Sequence, residues 1–257
     1  MKYIITALAI LFITGITYAQ DIDTAHWPFP VQRLIKAYPD NISSFDGTNI
    51  IMKDGRTVQY NEGGHKTHQQ LINSNDIGDI FTYPYIKGKV KDIEKGYDPG
   101  RIRSEELLRK MYGSTSAEVQ NDLVTISWCP KLVGQKLKVT KINGVAKQLQ
   151  KVSDELDEHP ELRDYLYSSE TFNWRKVRGS GRLSAHSFGI AIDLNTKYSN
   201  YWQWDCRCTS EDTDLGYKNR IPQLIVDIFE KHGFIWGGKW YHYDTMHFEY
   251  RPELLIK

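Results

Sequence analysis

Two short stretches concentrate the chemistry of this chain. One reads Ser184-Ala-His186-Ser-Phe-Gly189-Ile-Ala-Ile-Asp193, and the other, about fifty residues later, reads Asp244-Thr-Met-His247-Phe-Glu249. Together they offer two histidines and a carboxylate able to hold a metal, with a spare carboxylate three residues before the last histidine. A hydrolytic zinc site needs this inventory: three protein ligands, an open position for water, and a base for the water's proton.

Side-chain alternation indicates how these residues are placed. In a strand over 189–195, Ile190, Ile192 and Leu194 share one face and belong in a core. Gly189, Ala191, Asp193 and Asn195 share the other, so Asp193 projects among small neighbours. Over 246–250, Met246, Phe248 and Tyr250 form the core face, and His247 and Glu249 point away from it. Two adjacent antiparallel strands would bring Asp193 and His247 together, with His186 folding over from the loop before the first. The same spacing also serves a hydrogen-bonded His–Asp surface cluster. Glu249 suits either a carboxylate that orients a ligand or a surface position.

The remaining elements are expected as follows. Asp46-Gly47 and Asp54-Gly55 flank the runs 48–53 and 56–60, a β-hairpin pattern. His65 and His68 follow, and histidines three apart can share a metal, but with no obvious carboxylate partner the segment reads as a surface loop. Ser104 caps a helix through Met111 that ends at Gly113. The run 119–128 reads as a strand. Val145, Leu149, Val152 and Leu156 give an amphipathic helix over 143–157, and Pro160 ends it or starts a short one through Leu166. Phe172 to Val177 reads as a strand. No internal repeat is present.

Net charge is +1, from 33 basic and 32 acidic residues, so no global field gathers nucleic acid or an anionic membrane. An aromatic content of 12% points to a folded chain rather than a disordered one. At the N-terminus, Lys2, the apolar run 4–16 and the small residues Thr17 and Ala19 have the pattern of a secretory signal peptide cut before Gln20; an uncleaved anchor is the alternative. Of the cysteines Cys129, Cys206 and Cys208, a bridge from Cys129 to one of the other two is expected. A second metal site on Cys206 and Cys208 is the competing reading.

The pattern Ser184-x-His186-x-x-Gly189-x-Ala191-x-Asp193 with Asp244-x-x-His247-Phe248 resembles the zinc peptidases of the D-alanyl-D-alanine carboxypeptidase and L-alanyl-D-glutamate endopeptidase family. The likeness runs over roughly 143–252. It implies zinc on His186, Asp193 and His247, with Asp244 as the general base. Family members use aspartate or glutamate there, and the aspartate tilts toward an endopeptidase. The family also uses an arginine upstream of the first ligand, near the substrate carbonyl oxygen. Arg175 matches best, and Arg178 and Arg182 compete for the role. Ser184 and Arg182 are the substrate-binding candidates, Ser184 serving equally well to fix the His186 loop.

The resemblance thus implies an α+β fold of the Hedgehog and DD-peptidase type, a small antiparallel sheet with a zinc site packed against helices. The expected division is a signal peptide at 1–19, an N-terminal extension of unassigned role at 20–100 and a zinc peptidase domain at 101–257. The expected function is zinc-dependent hydrolysis of peptide bonds in bacterial peptidoglycan, by a monomer exported to the periplasm or beyond, with stem peptides as partners. A zinc-containing peptidoglycan-binding module without catalysis is the alternative, and a convergent metal hydrolase a further one. Which bond is cut depends on pocket shape.

Overall fold

The computed structural model describes residues 25–61 and 65–256, so the expected signal peptide and its cleavage point lie outside the described residues. Helix α1 (Phe29–Ala37) carries a proline in its first turn, where no backbone donor is lost, and buries Val31 and Leu34. A three-stranded antiparallel sheet follows: β1 (Ile42–Phe45), β2 (Asn49–Met52) and β3 (Thr57–Gln59), in that order. The hairpin of β2 and β3 is as expected. Strand β1 is additional, and a register shift between Ile42 and Ser44 breaks the two-residue alternation that would have revealed it.

Helix α2 (His68–Asn73) replaces the expected loop at His68. Thr67 accepts from the Gln70 backbone N–H while the Gln70 side chain accepts from that of Thr67, a reciprocal cap that starts a helix locally. Helix α3 (Glu105–Tyr112) begins on the Ser104 hydroxyl, as expected. The expected strand from Val119 is corrected in its first part. Thr115 caps a short helix α4 (Ser116–Asn121), and β4 (Leu123–Trp128) starts only after it. Strand β4 pairs antiparallel with β5 (Gln135–Thr140).

Helix α5 (Val145–Leu156) buries Val145, Leu149, Val152 and Leu156, the periodic positions of the sequence. A 3₁₀ turn over Pro160–Tyr165 follows. Then come β6 (Ala191–Asp193), α6 (Trp202–Cys206), α7 (Gln223–Lys231), β7 (Phe234–Trp236) and β8 (His247–Tyr250). The last three strands form an antiparallel sheet in the order β6–β8–β7. The architecture is mixed, with small antiparallel sheets and several helices among the described residues.

The expected strand over Phe172 to Val177 is corrected. Only Lys176 pairs in ladder fashion, with Leu183, because the turn at 179–181 and the 3₁₀ turn at Ala185–Phe188 leave no longer partner. The cysteine pairing is also corrected. Cys206 and Cys208 are joined to each other, with Cα atoms 5.2 Å apart, and Arg207 between them adopts a left-handed conformation (φ 56°) that folds the chain back. Neither is then free as a metal ligand. Cys129 is a free thiol sealed against α5, where burial pushes it up to about 12 and leaves it unreactive.

The core fixes the site sheet from behind. Phe248 of β8 stacks on Phe229 of α7 at 3.9 Å between ring centroids and lies parallel to Trp236 of β7. Removing a ring buried this fully costs about 3–5 kcal/mol. Because successive strand residues face opposite ways, anchoring Phe248 in the core commits His247 and Glu249 to the other face.

Candidate metal centre and its cleft

The register of the site sheet sets Asp193 directly opposite His247. His186 comes from the 3₁₀ turn Ala185–Phe188, which Ser184 caps by accepting from the His186 backbone N–H at 3.3 Å. That turn closes at Gly189 (φ +66°), where a Cβ would come within 2.8 Å of Leu123 Cδ2 and 3.0 Å of the Thr140 nitrogen. Only glycine fits there without displacing the β4–β5 hairpin.

Three atoms converge at this point. His186 Nε2 lies 3.1 Å from Asp193 Oδ1 and 3.2 Å from His247 Nδ1, and His247 Nδ1 lies 2.9 Å from Asp193 Oδ1. The outer nitrogens decide what these atoms can do. His186 Nδ1 donates to the Thr171 carbonyl at 2.6 Å, and His247 Nε2 donates to Glu249 Oε2 at 3.0 Å. In the neutral rings the inward nitrogens therefore carry lone pairs, and with a carboxylate oxygen they make three acceptors facing one another. Such a set demands a cation, and its imidazole and carboxylate donors suit zinc. The demand is visible in the titration of the site. Burial opposes a charge on His247, yet Asp193 and Glu249 outweigh it and lift the ring to about 10. Burial opposes ionisation of Asp193 too, and His186 and His247 hold it well below the usual carboxylate range.

Glu249 is fully buried rather than a surface carboxylate. Arg103 grips it through Nε (3.0 and 2.9 Å) and Nη2 (2.8 Å), and Arg251 Nη1 donates at 3.0 Å. Despite burial, these cations hold Glu249 ionised, so it can fix the orientation of His247. Arg103 and Arg251 are the residues here that sequence reasoning missed; Arg103 lies 146 positions from its partner.

Asp244 stands beside the three acceptors on a turn held by its backbone N–H to the Gly237 carbonyl at 3.0 Å. A Cβ on Gly237 would sit 2.6 Å from the Asp244 carbonyl oxygen, so the close approach of the two segments needs glycine. The Asp244 carboxyl is different in kind from that of Asp193. Its Oδ1 is buried with no hydrogen-bond partner among the described residues, and burial followed by repulsion from Asp193 raises it to about 7. A carboxyl poised near neutrality, with one oxygen unengaged, can take up and return a proton.

His186, Asp193, His247, Asp244 and Arg103 line one cleft of about 400 Å³, shared with Arg175, Arg178, Arg182, Ser184, Trp204 and Trp240. Arg175 is not at a strand end, but it is pinned: its backbone N–H donates to Ser187 Oγ at 3.0 Å and its carbonyl accepts from the Ser184 N–H at 2.9 Å. Its guanidinium lies on Glu170 Oε2, 2.5 Å from Nη2.

A second group of metal-type side chains adjoins the cleft. His68 Nε2 lies 3.3 Å from Asp98 Oδ2 and 3.2 Å from Glu211 Oε2, and His242 Nδ1 lies 2.7 Å from Asp98 Oδ2. His68 is thus half-buried against carboxylates, contrary to the surface-loop expectation; its partners are 30 and 143 residues away and no local pattern names them. Here, however, Arg101 Nη1 donates to Asp98 at 2.8 Å and to Glu211 at 3.0 Å, and Arg101 Nη2 donates to Glu211 at 2.7 Å. A guanidinium already supplies the positive charge.

Among known protein families, the chain matches the model described as D-alanyl-D-alanine carboxypeptidase over residues 178–250. No curated protein and no solved structure matches it. The matched stretch contains Ser184, His186, Asp193, Asp244, His247 and Glu249, and begins just after Arg175. Over that stretch the chain is similar to the D-alanyl-D-alanine carboxypeptidases, a likeness that supports a metallopeptidase acting on the bacterial cell wall.

Proposed function

We propose that the protein is an exported zinc peptidase that hydrolyses peptide bonds in the stem peptides of peptidoglycan, with His186, Asp193 and His247 as the zinc ligands and Asp244 as the general base. The observation that carries this reading is the convergence of three acceptor atoms beside a carboxyl oxygen with no hydrogen-bond partner among the described residues. Zinc, when bound, supplies the Lewis acidity that ionises water and polarises a carbonyl near neutral pH.

The chain's own residues do the rest. Asp244 takes a proton on its unengaged oxygen and returns it to the departing amine, a role that a carboxyl near 7 performs in both directions. Glu249 holds the His247 ring, and the Thr171 carbonyl holds that of His186, so neither ring turns during the reaction. Arg175, fixed by Ser187 and Glu170, places a cation at the cleft wall where it stabilises charge growing on a carbonyl oxygen. Ser184 acts chiefly as the cap of the His186 turn. Export follows the N-terminal pattern and the location of the substrate. The residues before about 100 are read as an extension of the peptidase domain at 101–257.

The test is digestion of purified peptidoglycan by the mature chain, with and without a chelator, read by mass spectrometry. New stem-peptide fragments that vanish with chelator and return with zinc are expected, and their masses identify the bond. An intact digest from folded, zinc-loaded protein overturns the reading.

A further inference from the structure

The metal-centre cleft continues into a second cavity of about 460 Å³, and Arg101, Val177, Arg178, Arg182, Tyr201 and Trp202 line both. The far wall of that cavity is helix α2, which presents His68, Gln69 and Asn73. These three lie outside 178–250, so the wall belongs to a part of the chain that the family likeness does not cover. The wall is fixed all the same. His68 Nε2 reaches both Asp98 and Glu211, and its ring stacks on that of His242 with centroids 5.5 Å apart. The cluster around His68 therefore has a role without a metal: it clamps α2 against the residues of the cleft. Opposite, Gln203, Thr209 and Ser210 come from the two sides of the Cys206–Cys208 bridge, which holds the end of α6.

The lining differs from that of a peptide groove. Hydroxyl and amide side chains are frequent, and Ile72 and Val177 are its only aliphatic members among the described residues. Gln69 and Asn73 are exposed, and their side chains make no hydrogen bond among the described residues, so their donors and acceptors are open to a ligand. At the mouth stands Trp204, 52% exposed. It meets Tyr201 edge-to-face at 5.4 Å between centroids, and the backbone of Tyr201 pairs with that of Asp244. A half-exposed indole beside a wall of neutral hydrogen-bonding groups matches one class of ligand. A pyranose ring carries hydroxyls around its rim and a face of C–H bonds, which the negative face of an indole attracts. The volume is in the range of small-molecule sites, which join a few placed polar groups to an aromatic surface. A peptide segment would call instead for a free sheet edge or for apolar sockets.

We infer that the second cavity, with Trp204 at its mouth, is a sugar-binding site, so that the protein takes stem peptides still joined to a sugar of the glycan strand. This rests on the peptidase reading of the adjoining cleft and adds the carrier of the peptide to it. Because the two cavities are continuous, one ligand spans both, with its sugar against α2 and Trp204 and its peptide at the metal centre.

The experiment measures cleavage of one stem peptide in three forms: attached to its disaccharide, free, and lengthened by a peptide in place of the sugar. Zinc-loaded wild type, Trp204→Ala and the double variant Gln69→Ala, Asn73→Ala are compared by kcat/KM. Wild type should favour the disaccharide form over the free peptide about 10- to 100-fold, the contribution of two ordinary hydrogen bonds. Each variant should bring that ratio down toward one, whereas loss of mere structural support would slow all forms alike. Equal kcat/KM for the three forms, an equal gain from the peptide extension, or a ratio undiminished in both variants overturns the inference. Calorimetric titration of the disaccharide alone, its lactyl carboxylate amidated so that the arginines meet no anion, keeps the two readings apart. If no form is cleaved, the peptidase reading fails and the titration decides the sugar site. Binding to wild type that is lost in the variants supports the site, and no binding to wild type overturns it.

Discussion

In and beside the cleft lie two groups of side chains that a list of residue types would not separate. One is His186, Asp193 and His247; the other is His68, Asp98, Glu211 and His242. In the first, each histidine spends its outer nitrogen on a carbonyl or carboxylate and turns the other inward, and among the described residues no lysine or arginine bonds to the three inward atoms. In the second, Arg101 reaches both carboxylates. Histidine and carboxylate within bonding distance do not by themselves make a metal site. What matters is whether the protein has already provided the positive charge, and the remaining orientation of each ring nitrogen.

The largest expected effect separates the groups directly. Replacing His186, Asp193 or His247 with alanine should remove the single zinc and abolish turnover, and His242→Ala should leave about one zinc per chain, by elemental analysis of folded protein. A second equivalent of zinc in wild type, lost in His242→Ala, would erase the distinction between them.

Next come the residues that serve the first group without belonging to it. Asp244→Asn should keep its zinc and lose at least about a hundredfold in turnover, the lower range for a general base. Loss of zinc in that variant would make Asp244 a ligand. Arg175→Ala should cost about 10²–10³ in rate with zinc content unchanged. Turnover close to wild type would move the role of stabilising the oxyanion to another arginine.

A smaller effect concerns the support of His247. Glu249→Gln should weaken zinc binding by about 10- to 100-fold in competition with a chelator of known affinity. Unaltered affinity would mean that strand geometry alone orients the ring.

The mildest test is the pH profile. As the proposed base, Asp244 would act only when ionised, and burial with repulsion from Asp193 raises it to about 7. The rate of wild type should therefore climb with pH along an acid limb, and zinc's own charge places the midpoint at or below that value. A flat profile down to pH 5 would remove the contrast between the raised Asp244 and the depressed Asp193.

Much of this site was legible because it depends on local rules. The period of α5 named its buried face, Ser104 named the start of α3, and alternation assigned Asp193 and His247 to the faces they occupy. The misreadings also had local causes. The Thr67–Gln70 and Thr115–Glu118 caps were available as helix signals, whereas the irregular register of β1 hid that strand. The Phe172–Val177 run has the composition of a strand, but strands need partners, and the chain beside it turns away.

The sequence alone determined the identity of the inward-facing chemistry, because the two-residue period of a strand and the core anchoring of Phe248 leave His247 only one direction to point. Tertiary structure alone decided the charge environment of each group. Arg103 on Glu249 and Arg101 on Glu211 are set by contacts between residues far apart in the chain. Coulomb interactions and desolvation depend on separation in space and exclusion of water, and no periodicity in the sequence carries either quantity.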